Sequence, residues 1–146
     1  MIIRRAHVED LDVVAPLFDA YRQFYRMPAD LEGGRRFLRE RMERDESVIF
    51  VALEEGRAVG FTQLYPSFPS GAMARIFILN DLFVASEARR SGVGSALLRT
   101  AADFGRGQGA RRLVLSTELT NTVAQSLYEN NGWKRDTVFC VYQLAL

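Results

Sequence analysis

One cysteine and one histidine in 146 residues remove several kinds of chemistry at the outset. A lone thiol, Cys140, excludes an internal disulfide, and a lone imidazole, His7, leaves no His/Cys cluster for a structural zinc site, so no metal is expected. No Gly-x-Ser-x-Gly occurs, which argues against a hydrolase of the nucleophile-elbow type. Charge of one sign is also lacking. The formal net charge is +1, so no broad field draws the chain to nucleic acid or to an anionic membrane. The longest apolar run, Val48 to Leu53, falls far short of the roughly 20 residues that cross a bilayer. The opening Met1-Ile2-Ile3-Arg4-Arg5 has no signal-peptide core or cleavage site, and the expectation is a cytoplasmic protein.

What is present reads as one α/β domain over residues 1–146, without repeats or a linker, and 48% hydrophobic content suffices for a single core. Ile2 to Arg5 reads as a short strand. Leu11, Val14, Phe18, Tyr21 and Tyr25 then recur at steps of three and four, the pattern of an amphipathic helix opened by Glu9 and Asp10. A second helix carries Phe37, Leu38 and Met42 on one face, and the charge run from Arg35 to Glu46 reads as a solvated surface with pairs such as Arg36/Glu40 and Glu40/Arg44. Val48 to Leu53 and Ala58 to Tyr65 flank Glu54-Glu55-Gly56-Arg57 as a hairpin would. After the Pro66 to Gly71 loop, Ala74 to Val84 predicts a strand. A helix ending near Gly107 or Gly109, a strand over Arg112 to Thr117 and a helix over Thr120 to Asn131 follow, with Val138 to Leu144 as a closing strand and Trp133 to Arg135 as a further short one. The predicted order is β-α-α-β-β-β-α-β-α-β.

Between Val84 and Ala96 lies Ala85-Ser86-Glu87-Ala88-Arg89-Arg90-Ser91-Gly92-Val93-Gly94-Ser95, a basic turn between a strand and a helix. The first amides of a helix have no intrahelical partner, and the peptide dipoles favour negative charge there. A diphosphate answers both needs, and side chains at Gly92 and Gly94 would hold it off. An ordinary capped turn with solvated arginines is the competing reading. Two nucleotide signatures fail: Leu97 stands where the dinucleotide fingerprint needs its third glycine, and the Gly-Lys-Ser/Thr of a P-loop is missing.

One strand later comes Asn121-Thr122-Val123-Ala124-Gln125-Ser126-Leu127-Tyr128-Glu129-Asn130-Asn131-Gly132-Trp133. With these two segments in this order, the chain resembles the GNAT superfamily of acyl-CoA-dependent N-acetyltransferases. Arg89-Arg90-Ser91-Gly92-Val93-Gly94 matches the family's Arg/Gln-x-x-Gly-x-Gly/Ala turn, and Asn121, Ala124, Leu127-Tyr128-Glu129, Gly132 and Trp133 match its second signature. Ile3 to Ala6 with Asp10, and Val59-Gly60-Phe61, extend the likeness over nearly the whole chain. The resemblance implies a single-domain GNAT-like fold, with a central mixed, mostly antiparallel sheet flanked by helices.

It also implies acetyl-CoA as cosubstrate and assigns roles. The amides of Arg90, Ser91, Gly92, Val93, Gly94 and Ser95, with Arg89 nearby, would hold the pyrophosphate, and the backbone of Leu82, Phe83 and Val84 the pantetheine arm. Asn121 and Ala124 belong to the cofactor site from the second signature. A helix N-terminal residue is the other reading of Asn121. Tyr128 is the implied general acid, a phenol of pKa near 10 protonating a departing thiolate of pKa near 8.5. Asp81 is the candidate base. Related diamine acetyltransferases carry an acidic pair here, whereas this chain has Asn80 before Asp81. Tyr21, Tyr25 and Asn80 are candidate acceptor-binding residues, and with Phe24 the tyrosines resemble the aromatic first helix of the polyamine and histone-type subgroup. The acceptor is open among a small primary amine, an amino-acid amine and a protein lysine. Relatives often pair as dimers, and the apolar segment from Val138 to Leu146 suits a sheet edge in a homodimer. The alternative is an acyl-CoA-binding sensor or assembly module without turnover; Tyr128 counts against it and the missing acid at position 80 for it.

Overall fold

The computed structural model describes residues 1–146, which fall into two compact units, Met1–Ser116 and Thr117–Leu146. In the first, the elements run β1 (Ile2–Ala6), α1 (Leu11–Phe24), α2 (Leu31–Glu43), β2 (Val48–Glu54), β3 (Arg57–Ser67), β4 (Ile76–Val84), α3 (Val93–Gly107) and β5 (Leu113–Val114). The sheet keeps this order, β1-β2-β3-β4-β5. Its first three pairings are antiparallel and β4–β5 is parallel. The expected mixed, mostly antiparallel sheet is therefore present.

Alternation along the strands divides the core into two layers. Leu11, Val14, Leu17 and Phe18 of α1 and Leu38 of α2 pack with Ile49, Val51 and Phe61 on one face. Full burial of a side chain such as Phe61, 0% exposed, is worth about 1.5–3 kcal/mol. On the other face, Phe104 of α3 meets Phe50 and Phe77, with ring centroids 5.5 and 5.3 Å away. Gly60 lets α3 come close, since a β-carbon there would lie 2.9 Å from the Phe83 carbonyl oxygen and 3.1 Å from Val93.

Local chemistry explains the element ends. The β2–β3 turn places Glu55 and Gly56 at φ 50° and 79°, the left-handed pair of a tight hairpin. Asp30 caps α2 by accepting from the Gly33 N–H at 2.9 Å. Asp10, just ahead of α1, faces backwards: it accepts two bonds from the Arg4 guanidinium, at 2.8 and 2.9 Å, and one from the His7 N–H at 2.8 Å. The Arg4 bond first, and then the His7 N–H, hold its carboxyl at about 2, against the opposing effect of burial.

Several expectations need correction. The fourth strand begins at Ile76, not Ala74, and β5 has two residues instead of six because pairing with β4 stops after Ile78–Val114. No strand forms over Val138–Leu144 or Trp133–Arg135. Val138, Phe139, Val141 and Tyr142 are each at least 80% exposed, so the apolar alternation that predicts a strand has no ladder partner in this chain. On α2, the ion pairs join Arg41 to Glu40 and Glu46, and Arg35 to Asp12 of α1; these replace the expected Arg36/Glu40 and Glu40/Arg44 pairs. No helix is long and apolar enough to cross a membrane.

Candidate active site

β3 and β4 run in register until Gln63 meets Asp81, and the next pair is Leu64 with Leu79. Asn80 is therefore one residue too many on β4, a bulge. Directly after it, Asp81 is buried at 2% exposure. Its carboxylate accepts from Asn80 Nδ2 at 2.8 Å and from Gln63 Nε2 at 2.6 Å. The Tyr21 hydroxyl, from α1, donates to the Asn80 carbonyl at 3.3 Å. Burial pushes the Asp81 carboxyl above its usual range, while donors on Asn80, Gln63 and Tyr21 pull the other way. The same burial, with the Asp81 charge added, keeps the Tyr21 phenol well above its ordinary value and pushes Tyr65 up to about 12.

Aromatic rings wall this acid. Tyr21 lies 5.9 Å from Phe61, 6.4 Å from Phe83 and 5.1 Å from Tyr25, centroid to centroid. Phe24 and Phe83 both lie beneath a cation, since the Arg89 guanidinium carbon is 5.6 and 5.8 Å from their centroids.

Beyond Ile78, β4 is laddered within its unit only by β3, so the edge from Leu79 to Val84 has no second strand beside it in that unit, although side chains bond the Asn80 and Val84 carbonyls. That edge leads to the turn before α3. There Arg90 and Gly92 have φ 64° and 85°, two left-handed residues that turn successive amides into a concavity. Gly92 is the N-cap of α3 and supplies no side-chain cap, and the first helical turn holds no acid. An intrahelical bond at this end runs from the Ala96 N–H to the Gly92 carbonyl at 3.0 Å, so the helix itself makes no use of the N–H groups of Val93 and Gly94. The Ser91 hydroxyl donates to the Ala88 carbonyl and is not a cap.

In the second unit, α4 (Thr122–Asn130) starts at Asn121, whose side chain accepts from the Ala124 N–H at 3.1 Å. The helix ends where the Trp133 N–H donates to the Tyr128 carbonyl at 3.1 Å. The Trp133 and Tyr128 rings lie 6.1 Å apart. The second signature is thus a cap, a helix and a folded-back aromatic.

The sequence profile of the acetyltransferase (GNAT) family matches residues 14–133. The chain belongs to the GNAT family. An uncharacterized N-acetyltransferase of Bacillus subtilis, YhfO, is 51% identical over 144 residues, covering 99% of this GNAT chain and 97% of the relative. A probable acetyltransferase of Haemophilus influenzae is 33% identical, covering 100% and 99%. A crystal structure of a probable acetyltransferase superposes with a TM-score of 0.95 at 47% identity, covering 100% and 98%. The fold is thus that of a GNAT domain, and the chain is an acetyl-CoA-dependent N-acetyltransferase.

Most residues singled out in the first unit of the GNAT chain gather along one line, from Asp81 and its Tyr21/Asn80 surroundings, down the β4 edge of Leu82, Phe83 and Val84, to the Arg90–Ser95 turn. The Arg89 Nε donates to the Val84 carbonyl at 3.0 Å, and its guanidinium lies against Phe24 and Phe83. Gln63 was missed. The polar pair Thr62-Gln63 inside the otherwise apolar run from Val59 to Leu64 is the signal that could have found it, but β-strand period alone did not say that its partner would be Asp81.

Proposed function

We propose that this chain moves an acetyl group from acetyl-CoA to a primary amine by direct attack. The observation that carries the reading is the edge of β4 beyond Ile78 that no second strand of its unit ladders, with a buried carboxylate at its bulge and a left-handed turn without a side-chain cap at its end. A pyrophosphate on the amides of Val93 and Gly94 would supply the cap that the Gly92 side chain cannot. The pantetheine arm would then run as an extra strand along Leu82 to Val84, bringing the thioester toward Asp81. In the proposed step, one ammonium proton of the acceptor passes to Asp81, through water because the carboxylate is 2% exposed. The nitrogen lone pair forms a bond to the thioester carbon, the carbon–sulfur bond breaks, the sulfur leaves as CoA with a proton supplied by Tyr128, and the second proton that the nitrogen sheds as the amide forms passes through water to restore the Tyr128 phenol. A lysine-like amine at pH 7 is almost wholly protonated, a handicap of roughly 4.6 kcal/mol that a base offsets in part.

An alkylammonium acceptor suits the rings of Tyr21 and Tyr25, whose centroids lie 5.1 Å apart, with the Asp81 charge bearing on Tyr21. A polyamine, an amino-acid amine and a protein lysine all share that group. The proposal treats residues 1–146 as one catalytic domain in the cytoplasm and assigns the exposed apolar segment 138–146 to a homodimer contact. Thiol release from acetyl-CoA, measured with polyamines, lysine analogues and basic peptides, tests the reading. Release with at least one amine is expected. Tight CoA binding without release for any of them would instead favour an acyl-CoA sensor.

A further inference from the structure

Gln63 is fully buried, at 0% exposure, in the middle of β3. Its Nε2 donates to Asp81 Oδ2 at 2.6 Å, while its Oε1 is buried with no hydrogen-bond partner. Turning the amide over would point Oε1 at the carboxylate and leave Nε2 stranded, so either orientation strands one atom. For packing alone this is a poor choice. An apolar side chain of the same length would fill the site without a stranded acceptor, as Phe61 does two positions earlier on the same face of the strand. The amide is therefore explained by what it does to its register partner. We infer that Gln63 is the positioning residue of Asp81: it fixes the carboxylate at the bulge and holds it ionised between turnovers. This rests on the reading of Asp81 as the base.

Other groups around Asp81 are accounted for. Thr62 bonds the Asp81 main-chain carbonyl at 2.8 Å, leaving the carboxylate alone. Tyr21 from α1 and Tyr65 from β3 are both shifted upward and stay neutral through the pH range where a carboxylate titrates. Arg41 of α2 bears on Tyr65. Asn80 donates to the other carboxylate oxygen but is itself exposed, so water can replace it. Gln63 cannot be replaced in that way. When Asp81 carries the acceptor's proton, the amide can turn and accept from the new O–H. That neutral bond is about half as strong as the charge-assisted one, so the net effect still favours the carboxylate.

The test compares kcat/KM against pH for the wild-type chain, Asp81→Asn, Gln63→Met and Gln63→Glu, with acetyl-CoA affinity and the carboxyl carbon shift of Asp81 measured alongside. Asp81→Asn should erase the acid limb. Gln63→Met should move that limb up by about half to one pH unit, with acetyl-CoA affinity unchanged within about twofold. Gln63→Glu should move it further, since two carboxyls at this distance share one proton; it also decides the matter if the methionine variant does not fold. An acid limb and an Asp81 titration that stay put in the folded Gln63 variants would overturn the inference. An acid limb that survives Asp81→Asn would overturn the reading of Asp81 as base, while the carbon shift would still report whether Gln63 holds the carboxylate.

Discussion

Replacing Gly92 by alanine separates two things that a glycine in a phosphate turn can do. At φ 85°, an added β-carbon strains the backbone, yet it meets nothing within 4 Å. Gly109, just past the end of α3, is matched on both counts, with φ 70° and nothing within 4 Å. Each alanine should therefore cost about 1–2 kcal/mol of stability through left-handed strain alone. With an unfolding entropy of about 0.3 kcal/mol/K for a chain of this length, each should lower Tm by about 3–6 °C. Their effects on the donor should differ. A methyl at position 92 stands where the diphosphate must approach the Val93 and Gly94 amides. Losing one charge-assisted bond of about 1.5–3 kcal/mol weakens acetyl-CoA by about 10- to 150-fold. A methyl at position 109 should leave affinity unchanged. Differential scanning fluorimetry and isothermal titration calorimetry with acetyl-CoA and with CoA measure both quantities. Equal affinities in the two variants would refute the assignment of the turn, and equal affinities with unequal Tm shifts would refute the strain argument as well.

Tyr128→Phe should retain acetyl-CoA affinity and lower single-turnover acetyl transfer about tenfold or more, read by rapid quench; an unchanged rate removes Tyr128 from the acid role. Asn121→Asp keeps the oxygen that caps Ala124 and removes the amide donor, so Tm should hold while acetyl-CoA binding weakens, whereas Asn121→Ala should lose about 1 kcal/mol of stability as well. The Asp10–Arg4 pair should show in acid. Because the folded carboxyl sits at about 2, below its unfolded value near 3.9, its contribution is present at pH 5 and fades as pH falls toward 2. The Tm gap between wild type and Asp10→Asn should close across that window; a constant gap would mean that the pairing is not what holds Asp10.

The residues that announced their roles in the sequence were those whose reason is local. Gly92 follows two arginines and opens a helix, Asn121 begins one, and the Glu54–Arg57 turn joins two apolar runs; each is decided within a few positions along the chain. The strands β2 to β4 were legible because alternation and turn chemistry agreed. What stayed hidden depends on pairs far apart in sequence. Gln63 and Asp81 meet across a ladder, and the bulge at Asn80 that aligns them leaves no mark in either strand's own pattern. Arg89 was placed by its motif, and the strand-end carbonyl and two aromatic rings that its side chain meets lie outside that motif. The closing segment failed for the opposite reason: Val138 to Leu144 has strand-forming side chains, but alternation cannot supply the neighbouring strand that would make them one.

The extra residue at Asn80 also resets the parity of β4. Before it, Phe77 faces Phe104 of α3, and Leu79 shares that side. After it, Asp81 and Phe83 face Tyr21 of α1. One strand thus serves as core for one layer in its first half and as the working surface of the opposite layer in its second. Inserting one residue into β3 opposite Asn80 would do more than lengthen a strand. By pairing the bulge away it would send the carboxylate into the α3 layer and bring Leu82 to the acceptor side, turning the site inside out while leaving every residue of the chemistry in the gene.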